Sequence, residues 1–392
     1  MSAHSQIGPS AGHRWVPCPG SVAACRDYPN HSNVDAAQGT AAHTVAEDCL
    51  RNNKDADTWL GKVLKVEEWE FEVDREMVNG VQLYLDVVRN DAKELGIKRA
   101  GDILVENLLS GEKIHPDLFG TNDAALVATA KKKLKGYDLK YGRNTVEARE
   151  NTQLLIYAVM LLLEYDPDRE IEEVEMVIVQ PRVSDPVKRW TVTREYIQKF
   201  AKKLKAAALA TEDPNAPRVP GEKQCEWCAH KPNCPEAREF AFDKAMVEFD
   251  DDGDLVTPDP DEMGDNALAE VLRWVPFIKK YLQSVETEAL RKLEHGEKVP
   301  GFKLVEKRPS RKWADPEDAV KRLMEMGLDE EDIFSVPSIL SPAQMEKHFT
   351  KELAQEMNDK LVVRESSGTK IVPEDDPAPE VSAGAAIDFA ED

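Results

Sequence analysis

No segment of this 392-residue chain is apolar for long enough to cross a bilayer. The longest such run, Leu154 to Leu163, is about half of the ~20 residues that a membrane helix needs. No membrane association is therefore expected. The N-terminus lacks a basic stretch leading into an apolar one, so no secretory signal is expected and the chain is placed in the cytoplasm. A reducing compartment argues against disulfides among the six cysteines. No internal repeat is evident. Positive charge is also short: the net charge is −23, an unpromising balance for a protein that would bind a polyanion. Much of that excess is local. Met246 to Asp265 carries nine acidic residues and no Lys or Arg, and the end from Glu374 to Asp392 is acidic with Pro, Ala and Gly. Both segments read as solvated linker or tail. Basic clusters remain at Lys131, Lys132, Lys133 and Lys135, at Lys202, Lys203 and Lys205, and at Lys307, Arg308, Arg311 and Lys312, either as solubilising surface or as phosphate contacts.

A chain of this length exceeds one ordinary hydrophobic core, so two structural units are expected. Helices are expected over Ala37 to Leu50 and Val73 to Leu95, the second carrying apolar residues at Val78, Val81, Leu85 and Val88. Gly101 to Leu109 reads as a strand. A hairpin follows, Ala124 to Ala130 and Leu134 to Tyr141, with a polar turn at Lys131 to Lys133. A helix opens at Gln153, a strand runs from Val174 to Val179, another from Trp190 to Thr193, and a helix from Arg194 to Ala210. Strands backed by helices define an α/β class with a mixed central sheet flanked by helices. The boundaries expected are a first domain over 1–245, an acidic linker over 246–265, a smaller α+β accessory region over 266–372 and a disordered tail over 373–392. Within the accessory region, helices are expected over Asn266 to Glu294, Pro316 to Gly327 and Pro342 to Asp359, with strands over Phe302 to Lys307 and Leu361 to Arg364.

The residues richest in chemistry are Asp123, Asp138 and Lys140, within Gly120-Thr121-Asn122-Asp123 and Asp138-Leu139-Lys140. Two carboxylates can hold a divalent cation through hard oxygen ligands. An ammonium two positions after the second carboxylate shares its strand face, because strand side chains repeat every two residues. Such a set suits phosphodiester hydrolysis, with the cation as Lewis acid and the lysine offsetting phosphate charge or polarising the attacking water. Upstream, His43 and Glu47 lie four apart on the helix that starts near Gly39; downstream, Gln153 and Tyr157 share a helical face.

Gly39-x-x-x-His43, Gly120-x-x-Asp123, Asp138-x-Lys140 and Gln153-x-x-x-Tyr157, in this order, resemble the motifs of RecB-type nucleases of the PD-(D/E)xK superfamily. The resemblance implies a restriction-endonuclease-like core. It implies that His43, Asp123 and Asp138 ligate Mg²⁺ or Mn²⁺, with Lys140 as the catalytic lysine. Gln153 and Tyr157 would support the site and contact the DNA strand, and Glu47 and Glu106 are weaker candidates for outer or second-metal roles. Asn122 stands where the superfamily's name has proline. The likeness extends to phage-encoded RecB-like proteins, chiefly of unknown function, from Ser10 to about Val372.

Cys225, Cys228 and Cys234 form C-x2-C-x5-C, and Cys18 lies some two hundred residues earlier. Three close cysteines and a remote one can close a four-thiolate site. The pattern is similar to iron–sulfur RecB-like nucleases, AddB and the CRISPR-associated ones among them, which implies a [4Fe–4S] cluster on Cys18, Cys225, Cys228 and Cys234. Zn²⁺ is the alternative ion; Cys18 is taken as the fourth ligand for its Cys-Pro context, with Cys25 as the alternative. Cys49 is expected to pack as a small buried hydrophobe.

The expected function is a metal-dependent deoxyribonuclease, an exonuclease processing DNA ends in phage replication or recombination. A catalytically silent DNA-binding or assembly module that keeps the nuclease fold is the alternative, and a redox-switched DNA-binding protein is a third. DNA is the expected partner. The terminal Ile387 to Asp392 is similar to the acidic-aromatic tips of single-stranded-DNA-binding proteins, which points to a recombination or single-strand-binding partner.

Overall fold

The computed structural model describes residues 5–28, 33–246, 248–249, 255–256 and 263–302, together with Gln355. Helical turns α1 (Gly12–Trp15) and α2 (Ser21–Ala24) precede α3 (Val34–Arg51). A hairpin of β1 (Val63–Val66) and β2 (Trp69–Glu72) leads into α4 (Arg75–Leu95). Strands β3 (Leu104–Ser110), β4 (Phe119–Ala128) and β5 (Lys133–Leu139) come next, then α5 (Thr152–Tyr165), β6 (Glu173–Val179), β7 (Val187–Thr193) and α6 (Arg194–Ala210). The turn α7 (Glu222–Cys225), α8 (Pro235–Lys244), the short strands β8 (Glu248–Phe249) and β9 (Leu255–Val256), and α9 (Asp265–Glu294) complete the described elements.

Helices α3, α4, α5 and α6 begin where a polar side chain can accept a hydrogen bond from the first turn. Asn33 accepts from Ala36, Asp74 from Met77, Asn151 from Leu154 and Thr193 from Tyr196. Each such cap contributes roughly 1 kcal/mol. Helix α4 stops at Gly96, whose φ of 79° places it in the left-handed region that only glycine enters without strain.

The main sheet has the order β3-β4-β5-β6-β7. Only β5 and β6 run parallel, with Asp138 beside Ile178; the other pairs are antiparallel. A parallel pair needs a crossover, and α5 supplies it. Alternate residues of the central strands bury on opposite faces. Ala125, Leu134, Val174, Met176 and Ile178 pack with α5 and α6 in one apolar cluster. Ala124, Leu126, Tyr137, Leu139, Val177 and Val179 pack with α3 and α4 in the other. The result is a three-layer mixed α/β architecture with a five-stranded sheet between helices. Small residues on α3, namely Ala37, Ala41, Ala42 and Ala46, let that helix approach closely. Among the described residues no helix is long and apolar enough to cross a membrane.

Three features depart from the sequence expectation. The chain divides into units Met1–His295 and Gly296–Asp392. Helix α9 therefore belongs to the first unit and not to an accessory region beginning at 266. Its Phe277 and Tyr281 bury against Cys225, Ala237 and Ala241, with the Phe240 ring edge-on to Trp274 at 4.9 Å and to Phe277 at 5.0 Å. Aromatic packing thus ties the helix to α8, which the sequence reading did not foresee. Second, the acidic stretch read as linker contains the antiparallel pair β8–β9, with Phe249 opposite Leu255. Third, the cluster Lys131 to Lys135 already has partners: Lys131 donates to the Glu94 carbonyl, Lys132 pairs with Glu172, Lys133 with Glu173, and Lys135 with Asp91 and Glu175. Lys202, Lys203 and Lys205 remain exposed on α6. The basic cluster Lys307 to Lys312, the later helices and strands, and the acidic tail lie outside the described residues.

Candidate active site

Three acids form one row across three adjacent strands. The β3–β4 ladder pairs Val105 with Ala124 and Asn107 with Asn122, so Glu106 stands opposite Asp123. The β4–β5 ladder ends with Ala124 opposite Tyr137, so one step further sets Asp123 opposite Asp138. Directly opposed residues of antiparallel strands are close neighbours. The ladder has no pair at Glu106 itself, whose φ is 42°. A glutamate in the left-handed region inside a strand is strained, and such strain gathers at functional sites.

Asp123 takes the N–H of Leu139 on its Oδ2 at 2.7 Å, filling the place a strand carbonyl would have held. The carbonyl of Leu139 in turn accepts from Nε2 of His43 on α3, at 2.9 Å. A carbonyl cannot donate, so Nε2 carries the proton and Nδ1 faces the acids. Nδ1 lies 3.6 Å from Glu106 Oε1 and 3.6 Å from Asp123 Oδ2. Among the described residues, His43, Glu106 and Asp123 are the one group of three or more potential metal ligands whose donor atoms all lie within 4.8 Å of one another. Burial opposes charge on His43, but Asp123, Glu106 and Asp138 outweigh it and raise its pKa to about 9. Burial and the neighbouring Asp138 charge push Asp123 up to about 7, against the pull of His43 and Lys140. The site is short of positive charge, and in the metal-free protein a proton on His43 supplies it.

Asp138 lies beside that group with different partners. Its Oδ1 accepts from Gln153 Nε2 at 2.9 Å and from Lys140 Nζ at 3.2 Å. Its Oδ2 lies 2.9 Å from Nζ as an ion pair but receives no aligned hydrogen bond. Gln153 Oε1 accepts from Lys140 Nζ at 3.0 Å. Burial works against the lysine's charge, yet Asp138 and Asp123 hold its pKa above the usual value. One turn along α5, the Tyr157 hydroxyl donates to the Thr121 carbonyl at 2.5 Å, fastening the helix to β4 two residues before Asp123. A Cβ at Gly120 would come 2.7 Å from Pro9 Cδ and 3.5 Å from the Tyr157 ring, so this motif glycine makes room for both. Glu47 lines the same pocket as His43, Glu106 and Asp123, while its carboxylate pairs with Arg51 at 2.9 Å.

The structure thus gathers His43, Asp123, Asp138, Lys140, Gln153 and Tyr157 at one end of the strands. The three potential metal ligands that lie closest together are His43 and Asp123 of that set with Glu106, which is outside it, and not Asp138. Sequence reasoning missed Tyr84 of α4, which lines the pocket. No spacing signal marks it off from the other buried positions of that helix.

The cysteines form a second cluster. Cys18, Cys225, Cys228 and Cys234 line one pocket with Arg218, His230 and Lys231. Cys18 Sγ accepts from the Val219 N–H at 3.2 Å, and Cys225 Sγ from that of Gly221 at 3.5 Å. Cys25 Sγ lies 3.6 Å from Cys228 Sγ. The Cys228 contact and then Arg14 favour the thiolate of Cys25, which is lowered to about 5 against the effect of burial. A Cβ on Gly20 would come 2.3 Å from the Ala216 carbonyl, so the N-terminal segment can lie on the 216–221 loop only with glycine there. None of the six cysteines is in a disulfide, and Cys49 is buried in the α3 core. Among the described residues no three thiols lie within 4.8 Å of one another.

Fold and sites together define a mixed α/β protein with a histidine–carboxylate–lysine centre and a separate thiol pocket. The chain belongs to the family described as "Protein of unknown function (DUF2800)", which matches residues 4–379. Among solved structures, one titled "Crystal structure of SSO0001" is similar at 12% identity and a TM-score of 0.29, covering 60% of this chain and 88% of that one. A superposition that weak says nothing about fold or function.

Proposed function

We propose that this protein is a divalent-metal-dependent DNA nuclease of the RecB-like PD-(D/E)xK type, acting on DNA ends as an exonuclease. The observation that carries the reading is the placement of His43 Nδ1 at 3.6 Å from both Glu106 and Asp123, with the Asp138–Lys140 pair on the next strand. An imidazole with two carboxylates is a donor set that suits Mn²⁺ and Mg²⁺. The raised pKa of His43 fits a site built for a cation in which a proton now stands. Bound there, the ion would supply Lewis acidity toward a phosphodiester and offset charge developing on its oxygens.

The chain's own residues have separable tasks. His43, Glu106 and Asp123 would hold the ion, and the Leu139 carbonyl fixes the ring so that Nδ1 is the nitrogen left free to bind it. Lys140, charged at neutral pH, faces the phosphate, while Asp138 and Gln153 hold its ammonium in place. Tyr157 locks the α5 helix that carries Gln153 to the strand that carries Asp123.

The cysteine pocket gathers four of the chain's six thiols, Cys18, Cys225, Cys228 and Cys234. Thiolates around a single zinc stand about 3.8 Å apart, from Zn–S bonds of about 2.3 Å. The Cys25–Cys228 pair has such a spacing, but the set does not close to it. We propose that Cys18, Cys225, Cys228 and Cys234 would hold a [4Fe–4S] cluster, with Zn²⁺ as the alternative.

The decisive assay incubates end-labelled single- and double-stranded DNA with purified protein, with and without Mg²⁺ or Mn²⁺. Metal-dependent shortening from the ends is expected, and the Asp138→Asn variant is expected to bind DNA without cutting it. No cleavage of either form with either metal would leave a DNA-binding module in place of the enzyme.

A further inference from the structure

Tyr84 sits on the buried face of α4 and is 1% exposed. Its hydroxyl is buried and has no hydrogen-bond partner among the described residues. The same residue lines the pocket formed by His43, Glu47, Glu106, Asp123 and Leu139. A buried hydroxyl left without a partner costs stability. A phenylalanine would fill the same volume in the apolar cluster of α3, α4 and the sheet without that cost. The oxygen is therefore unexplained by packing, and its location beside the three potential ligands supplies the explanation. Acids that now lean on the His43 imidazole would turn toward a cation replacing its proton, and new acceptor oxygens would then come within the hydroxyl's reach.

We propose that Tyr84 is a positioning residue of the metal site, its hydroxyl donating to an oxygen atom bound to the divalent cation. That oxygen belongs either to the carboxylate of Glu106 or Asp123 or to a phosphate of the nucleic acid. The inference rests on the metal site proposed above. A phenol is a suitable donor because it is protonated at neutral pH, and the surrounding carboxylates reinforce this: burial first, then Asp123, Glu106 and Asp138, raise its pKa well above the usual value.

The test is Tyr84→Phe, which deletes only the oxygen, studied in the full-length protein. Mn²⁺ binding is read by electron paramagnetic resonance without DNA, and kcat and KM are read with Mn²⁺ and labelled DNA. Thermal melting of the metal-free protein is measured beside them. The metal-free variant should melt no lower than wild type, because it loses an unpartnered group. Mn²⁺ affinity falling about tenfold assigns the acceptor to a carboxylate. Unchanged Mn²⁺ affinity with a changed kcat or KM assigns it to the phosphate. Equal affinity, kcat and KM in variant and wild type overturn the proposal, as does a metal-free variant that melts lower. A wild-type protein that binds no Mn²⁺ at all sinks the metal site and Tyr84 with it, an outcome distinct from a metal site that ignores Tyr84.

Discussion

His43 donates Nε2–H to the carbonyl of Leu139, and that bond turns the ring so that Nδ1 lies between Glu106 and Asp123. Leu139 also gives its own N–H to Asp123. One backbone residue thus orients both a nitrogen and an oxygen of the potential ligand group. Neither contact depends on the Leu139 side chain, which is buried in the α3–α4 core.

The first prediction follows from the charge in this group. Folded-state pKa values raised above the unfolded ones mean that the native state binds more protons, so stability falls as pH rises. For Asp123 the loss spans the window from about 4 to about 7. For His43 the stabilisation is complete below about 6.5 and is lost as pH rises through about 9. The His43 contribution, read as the melting temperature of metal-free wild type minus that of His43→Gln, should therefore shrink from pH 6.5 to 9. Mn²⁺ affinity should move the opposite way, rising with pH as binding displaces the His43 proton. A wild-type minus His43→Gln difference that grows over this interval in chelator-treated protein would contradict the charge assignment.

Glu106 and Asp138 give opposite expectations for metal binding. Glu106 is in the ligand group and Asp138 is held by Lys140 and Gln153. Glu106→Gln should weaken Mn²⁺ binding by about tenfold or more, as loss of one support or ligand at such a site does. Asp138→Asn should bind Mn²⁺ with a smaller loss yet fail to cleave. Isothermal titration of both variants decides the matter; equal losses would return Asp138 to the ligand set.

Lys140 and Gln153 should separate by magnitude. Removing one preorganised charge donor costs about 10²- to 10³-fold in kcat, so Lys140→Met is expected in that range. Gln153→Ala leaves the ammonium in place but frees it, because Oε1 is its partner at 3.0 Å. A loss of about tenfold in kcat with KM little changed is expected from misplacement of that kind. Steady-state kinetics on labelled DNA measure both, and a Gln153 variant as damaged as the lysine variant would give the glutamine a direct role.

Much of this arrangement was legible from pattern, and the reasons it stopped where it did are physical. Helix α6 lies where the sequence put it, Arg194–Ala210, because Thr193 caps it and the apolar stripe is unbroken. Strand β4 begins at Phe119, five residues before the expected Ala124. Gly120, Thr121 and Asn122 read as turn residues, but pairing with Leu109, Leu108 and Asn107 draws them into the sheet. Hairpin β1–β2 was missed because its turn has no Gly or Asn: Glu67 takes the left-handed conformation, with φ of 52°. Glu106 was legible only as a weaker candidate, because its place beside His43 and Asp123 comes from cross-strand register and a positive φ that no spacing rule encodes.

The last prediction concerns which cysteine closes the thiol site. Cys18 lines the pocket with Cys225, Cys228 and Cys234, whereas Cys25 touches Cys228 alone among the thiols. Cys18→Ser should therefore lose the bound group, seen as loss of visible absorbance and of iron in protein purified without oxygen. Cys25→Ser should keep both. The site would join segments some two hundred residues apart, so its loss should also cost folding stability, because binding free energy in such centres is largely folding free energy. The Cys18 variant should then melt lower and be cut faster by protease in the N-terminal segment before Cys25. An iron-replete Cys18→Ser protein together with an iron-free Cys25→Ser protein would exchange the two assignments. Stoichiometric zinc with no visible band would replace the cluster by a single ion.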